Sequence, residues 1–294
     1  MNFREFLKEK RPNLSDGSLT TYNSIISNLH NKLFGTKSID LSNFKNTERV
    51  IEYLKDIPSN KRKTTLAALF VVSDEKAYRD LMMNDIKKYN TDISKQTMTD
   101  YQKENSTNKD DITALWNEYK KNAEVLYKKT ALTPSDYQEI QTYIILSLLG
   151  GLFIPPRRAL DYCSFMIKNI TDPNNCNYID GNNMIFNVYK TAKTYGQQSI
   201  PMPKPLKTIL TKWIKRNPTD YLLFDTQFKP LTSVKLNQRL NKIFDGKHIS
   251  INALRHAYMT DKYGDTIKTK QDMYDDFKGM GSSVNMECVY IQKK

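Results

Sequence analysis

The apolar residues of this chain change period once and then change back. Up to Gly150 they recur three and four residues apart, the spacing of helices that bury one face. Between Ser164 and Met202 they fall into short runs divided by turn residues, the pattern of strands and hairpins. From Leu206 the helical spacing returns. A chain that must satisfy both patterns is mainly α with a small antiparallel β-sheet set between helices. At 294 residues it is long enough for two modest domains, each with its own core.

Three segments follow from punctuation. Residues 1–102 read as a helical domain, with helices over Leu19–Leu33, Val50–Leu54, Ser59–Val71 and Lys76–Gln102. The first of these is capped by Ser15 or Ser18 and ends at Gly35. Residues 103–131 read as a connector and a leading helix, because Lys103–Asp111 carries no apolar periodicity while Leu115, Trp116, Tyr119, Ala123 and Leu126 do. Residues 132–294 form the second domain. It opens at Thr133, a capping residue, with Pro134 at the first helical position, and its first helix halts near Gly150-Gly151. Strands are expected at Ser164–Ile167, Tyr178–Ile179, Met184–Tyr189 and Ser199–Met202, with Asp180-Gly181 as a turn. Two more helices follow, and Ser250 caps the next, which carries Arg255.

A formal charge of +13 points to a polyanionic partner, since each Lys or Arg laid on a phosphate releases condensed counterions. The cations recur along the whole chain, which suits a broad docking surface better than a basic tail. Double-stranded DNA is the leading candidate. Lys61, Arg62 and Lys63 stand in the first turn of a helix, where cations oppose the macrodipole and a phosphate contact would offset that cost. A solvated face explains them equally well.

Three cysteines, Cys163, Cys176 and Cys288, outline no disulfide framework, and His30, His248 and His256 have no metal-ligand spacing. No metal and no cofactor is expected. The longest apolar run, Tyr143–Ile154, is broken by Ser147 and the glycine pair and is too short for a bilayer, so no membrane is expected. The first residues lack the order of a secretion signal, so an intracellular protein is expected, in cytoplasm or nucleus. Abundant Lys, Asn, Ile and Tyr match the A/T-rich codons of many viral and mobile elements.

Arg158, Lys193, Arg255 and Tyr290 occur in an order that suits attack of a phenol on a phosphodiester. Two arginines from separate elements can clamp the nonbridging oxygens of a phosphorane with planar forks that stay charged. A lysine on a hairpin tip can protonate the departing 5′-oxygen. A tyrosine gives a reversible covalent intermediate that stores the bond for rejoining.

In these residues the chain resembles the tyrosine recombinase family, of the phage-integrase type, over roughly Leu132–Tyr290. The family's first box is an Arg followed three residues on by an acid, which maps to Arg158 and Asp161, with Arg157 as fallback and otherwise a DNA contact. Its hairpin lysine maps to Lys193, eight residues before Pro201, with Lys190 as competitor and otherwise a DNA contact. Its His-x-x-Arg box maps to Asn252 and Arg255, followed by His256 in a supporting place, and its nucleophile maps to Tyr290, thirty-five residues past Arg255. The resemblance implies a helical core-binding-like domain and an α+β catalytic domain closed around duplex DNA. It implies site-specific recombination or integration through a 3′-phosphotyrosyl bond without metal, by a homo-oligomer, a tetramer, on DNA.

Two positions depart from the family pattern. Asn252 replaces a histidine, and Gly281, nine residues before Tyr290, stands where the family has His or Trp. Asn can hold a phosphate oxygen but exchanges no proton, and Gly does neither; lost acid–base help corresponds to roughly 10²–10⁴-fold in rate. His248, His256 and Lys278 are the available substitutes. Only four residues follow Tyr290, so the family's tail helix that docks on a neighbour is either absent or cut off. Two alternatives stay open: a type IB topoisomerase-like enzyme, and a DNA-binding protein of recombinase ancestry with weakened catalysis.

Overall fold

The computed structural model describes residues 3–36 and 38–280. The chain divides into two compact units, Met1–Met98 and Thr99–Lys294.

The first unit is all helical: α1 (Phe3–Lys10), α2 (Asp16–Phe34), a 3-10 turn (Leu41–Lys45), α3 (Thr47–Leu54), α4 (Ser59–Ser73) and α5 (Lys76–Ser94). Side-chain caps start α2, the 3-10 turn and α3, as short polar residues do when they take up orphaned helix N–H groups, whereas α4 and α5 start without one. Ser15, rather than Ser18, caps α2 by accepting from Ser18 N, and Asn46 caps α3 by accepting from Arg49 N. Leu19, Ile26, Phe44, Val50, Leu54, Leu66, Leu69 and Tyr78 form the core. Buried His30 belongs to that core as a structural acceptor, taking a hydrogen bond from Asp40 N at 3.1 Å.

The second unit contains α6 (Asp100–Glu104), α7 (Lys109–Leu126), α8 (Pro134–Leu149), α9 (Ala159–Cys163), β1 (Tyr178–Asp180), β2 (Asn183–Phe186), α10 (Ala192–Tyr195), β3 (Gln198–Pro201), α11 (Lys204–Arg216), α12 (Ser233–Ile243) and α13 (Ile251–Gly279). The three strands form one antiparallel sheet in the order β1-β2-β3, with Tyr178 opposite Ile185 and Ile185 opposite Ser199. The fold is therefore mainly α with a small antiparallel sheet, as the change of period requires. Helix α8 is its axis. Thr133 and Asp136 make a reciprocal capping box with Pro134 in the first turn, and every residue from Ile140 to Leu149 is buried. Helices α7, α11 and α13 pack around it. No helix of the described residues is long and apolar enough to cross a membrane.

Four element expectations are corrected. The helix expected over Lys76–Gln102 stops at Ser94, and α6 starts afresh with a capping box between Thr99 and Gln102. Part of the polar connector Lys103–Asp111 is helical, because Asn108 caps α7 four residues ahead of its first buried residue, Ile112. Capping chemistry is polar and so leaves no apolar period to read. The segment Ser164–Ile167 is not a strand. Met166 makes only isolated bridges, with Tyr178 and Tyr221, and the neighbouring amides go to separate partners, Ile167 N to Asp220 O at 2.8 Å and Met166 N to Asn177 O at 2.7 Å.

Strand β2 also ends at Phe186, short of the expected Tyr189. The amides of Asn187 and Val188 leave the ladder for the Asn177 side-chain oxygen, both at 2.8 Å.

Candidate active site

The segment joining α8 to α9 carries Arg157 and Arg158, and the two adjacent arginines have different environments. Arg157 is nearly enclosed, with its side chain 14% exposed. Its Nε donates to Asp161 Oδ2 at 2.9 Å and its Nη1 to Gln198 Oε1 at 2.6 Å. The guanidinium lies 3.9 Å from the Phe186 ring centroid and 4.9 Å from that of Tyr189. Arg158 holds the N-cap position of α9, where its backbone carbonyl accepts from Asp161 N at 3.1 Å. Arg158 is half-buried, and its guanidinium has no hydrogen bond or ion pair among the described residues.

Asp161 is 2% exposed, and burial raises its carboxyl above the usual carboxylate range against the opposing pull of Arg157 and Arg158. One oxygen meets Arg157; the other, Oδ1, has no hydrogen-bond partner among the described residues. The acid thus bonds Arg157 through its side chain and Arg158 through its backbone, a division that the three-residue spacing does not express.

Both candidate lysines are exposed and lie in the link between β2 and β3. Lys193 sits in the single helical turn α10 rather than at a simple hairpin tip. The loop is closed on itself by Tyr189 Oη donating to Gly196 O at 2.7 Å. Gly196 has φ 65° and ψ −158°, a conformation open essentially to glycine alone, and it turns the chain directly into β3.

Helix α13 begins at Ser250, whose side chain accepts from Ala253 N. It carries exposed Asn252, half-buried Arg255 and exposed His256. Arg255 Nη1 lies 3.4 Å from Asn252 Oδ1, a long contact, and forms no ion pair among the described residues. Gly151, at the start of the Arg157–Arg158 segment, meets Tyr258 one turn beyond Arg255, so that segment is seated on the helix bearing the second arginine. Tyr290 and Gly281, the proposed nucleophile and its neighbour in the family pattern, lie outside the described residues.

In the first unit, Arg62 is committed to the fold. It forms a fork with Asp85, Nε to Oδ2 at 2.8 Å and Nη2 to Oδ1 at 2.7 Å, and Nη1 donates to Lys55 O at 3.1 Å. Asp85 is 3% exposed. Lys63 lies 3.1 Å from the Tyr89 ring centroid, and Lys61 is exposed. Of the three adjacent cations, Arg62 has all its nitrogens occupied.

The residue that sequence reading overlooked is Asn177. It is 5% exposed, its Nδ2 donates to Asp161 O at 2.9 Å and Val188 O at 2.8 Å, and its Oδ1 takes the two amides that end β2. One side chain therefore ties α9 to the start of the lysine loop. Its sequence context, Asn-Cys-Asn-Tyr, carries no signal of this.

No protein-family model matches the chain, and no curated protein matches it. Among solved structures, one titled "Crystal structure of XerA recombinase" aligns with 88% of this chain and 81% of its own, at 12% identity and a TM-score of 0.35. A likeness at that level carries no argument about activity.

Proposed function

We propose that this chain cleaves and rejoins DNA strands by transesterification, with Tyr290 as nucleophile. Arg158 and Arg255 clamp the nonbridging oxygens, Asn252 donates to one of them, and Lys193 protonates the departing 5′-oxygen. The Tyr290 phenol oxygen forms a bond to phosphorus, the bond from phosphorus to O5′ breaks, and the O5′ electron pair takes its proton from the lysine ammonium. Reversal by another 5′-hydroxyl rejoins a strand, which makes the chemistry that of a site-specific recombinase or integrase acting as an oligomer on duplex DNA. Exposed cations, Lys61 and Lys190 among them, hold phosphates without reading bases.

The observation that carries this reading is a contrast within a basic protein: Arg158 and Arg255 are half-buried and form no ion pair among the described residues, whereas Arg62 and Arg157 are each paired with a buried aspartate. A guanidinium in a partly enclosed setting without an acid is suited to an external anion.

The test is covalent capture. Pooled duplexes carrying a nick just downstream of each candidate position, including the sequences flanking the gene, are incubated with the full chain and denatured. A protein–DNA adduct linked through a 3′-phosphate, absent with Tyr290→Phe, is expected. DNA binding without any adduct would overturn the enzyme in favour of a binding protein, the alternative that Asn252 and Gly281 motivate. Relaxation of supercoils without strand exchange would instead mark a type IB topoisomerase.

A further inference from the structure

We propose that Arg157 is a positioning residue, a brace that fixes the Lys193 loop against the Arg158 turn, and not a phosphate ligand. The inference rests on the strand-cleavage reading for its catalytic consequence. Its geometric basis is the set of contacts that Arg157 makes on two elements far apart in sequence.

On one side Arg157 meets Asp161, in α9. On the other it meets Phe186 at the end of β2, Tyr189 just before Lys190, and Gln198 at the first position of β3. These are the two roots of the loop. Between them, Lys190 and Thr194–Gln197 are exposed together with Lys193, so the loop's attachment lies at its ends. The Tyr189 hydroxyl bonded to Gly196 O draws those ends together over the arginine. A guanidinium bonded to a carboxylate and an amide, within 5 Å of two aromatic ring centroids and on a side chain only 14% exposed, has little room for a DNA phosphate.

Only arginine has the planar shape for these roles at once, since its fork bonds in the plane while its faces stack. A lysine at this position keeps the charge but loses the second edge contact and the stacking. The Lys193 loop would then be attached through the strands and the Tyr189 hydroxyl alone, and the ammonium would spend less time within reach of O5′. Loss of alignment should slow proton transfer to the leaving group while leaving the phosphate clamp in place.

That distinction can be read by changing the leaving atom. With sulfur in place of the bridging 5′-oxygen, the departing electron pair stays on a thiolate and needs no proton. Full-length Arg157→Lys is expected to cleave the oxygen duplex about 10–100-fold more slowly than the parent, less than the roughly 10²–10⁴-fold that outright loss of an acid costs. It should recover to within a few-fold of the parent on the sulfur duplex. Lys193→Ala should show a larger loss and the same recovery, and Arg158→Ala a loss that sulfur does not relieve. Equal slowing of Arg157→Lys on both duplexes would overturn the brace. Gln198→Ala, which leaves the Arg157–Asp161 pair intact, should show a smaller loss relieved in the same way, and serves if Arg157→Lys does not fold.

Amide hydrogen exchange separates this inference from the reading it rests on. Should the parent form no adduct with either duplex, strand cleavage fails, but the brace still requires residues 187–197 to exchange at least tenfold faster in Arg157→Lys or Gln198→Ala, with α11 unchanged. Unchanged exchange in the loop would refute it.

Discussion

Gly151 and Tyr258 approach so closely that a Cβ on Gly151 would lie 2.7 Å from Tyr258 Cδ2 and 3.2 Å from its Cβ. Gly151 also has φ +73°, in the left-handed region. Two independent constraints therefore converge on one glycine, and the close approach seats the Arg157–Arg158 segment on the helix that carries Arg255.

Gly151→Ala should lower stability by about 1–3 kcal/mol, combining left-handed backbone strain with the clash. Tyr258→Ala in the same chain should recover the part due to the clash and leave the backbone part. Denaturant midpoints of the two single variants and the double variant measure this coupling, and strictly additive effects would show that the ring does not limit the site.

Asn177→Ala removes one buried side chain that satisfies two carbonyls and two amides. Each backbone group left buried without a partner costs roughly 1–3 kcal/mol, so a total loss of about 3 kcal/mol or more is expected. Asn177→Asp should not restore it, since a carboxylate cannot donate to the Asp161 and Val188 carbonyls. Equilibrium unfolding in urea, with tryptophan fluorescence as the probe, is the measurement.

Arg62 and Lys61 should separate in two assays. Arg62→Ala leaves Asp85 buried and unpaired and should cost about 3–5 kcal/mol of stability. Lys61→Ala should leave the melting temperature nearly unchanged and reduce the slope of log binding constant against log salt by about 1 for any duplex. An unchanged salt slope with Lys61→Ala would remove that lysine from the DNA surface.

Acid stability should depend on two aspartates with lysine partners. Hydrogen bonding from Lys235 holds Asp225 down to about 2, and hydrogen bonding from Lys129 does the same for Asp136, both from an ordinary 3.8. A carboxylate depressed on folding stabilises above its unfolded value, and that contribution fades as pH falls from about 4 through about 2. Asp161 works in the opposite sense: raised on folding, it favours the native state at low pH, and this contribution is lost as pH rises through its folded value. Melting temperatures of Asp225→Asn and Asp136→Asn should fall below the parent at pH 7 and converge with it near pH 2. A constant difference across that range would contradict the assignment.

Much of the local architecture is legible in the sequence because its causes are local. Ser15, Thr133 with Pro134, and Ser250 begin helices through contacts within four residues, and the shift from helical to alternating period marks the sheet between β1 and β3. The order of Arg158, Lys193, Asn252, Arg255 and Tyr290 is likewise a property of the chain alone. Polar caps at Thr99 and Asn108 are harder to see, because nothing apolar marks the turns they start.

Long-range packing alone settles which polar groups are already used. Arg157 and Arg158 are neighbours in sequence, yet one meets Gln198, forty-one residues away, and the other forms no ion pair among the described residues. Arg62 is spent on Asp85, twenty-three residues on, while Lys61 beside it stays exposed. Asn177 ends β2 by taking amides ten and eleven residues further along the chain. Periodicity and spacing tell which face a side chain points to, but the partner it finds there depends on how distant elements pack, and a charge becomes available for DNA only when that packing leaves it unpaired.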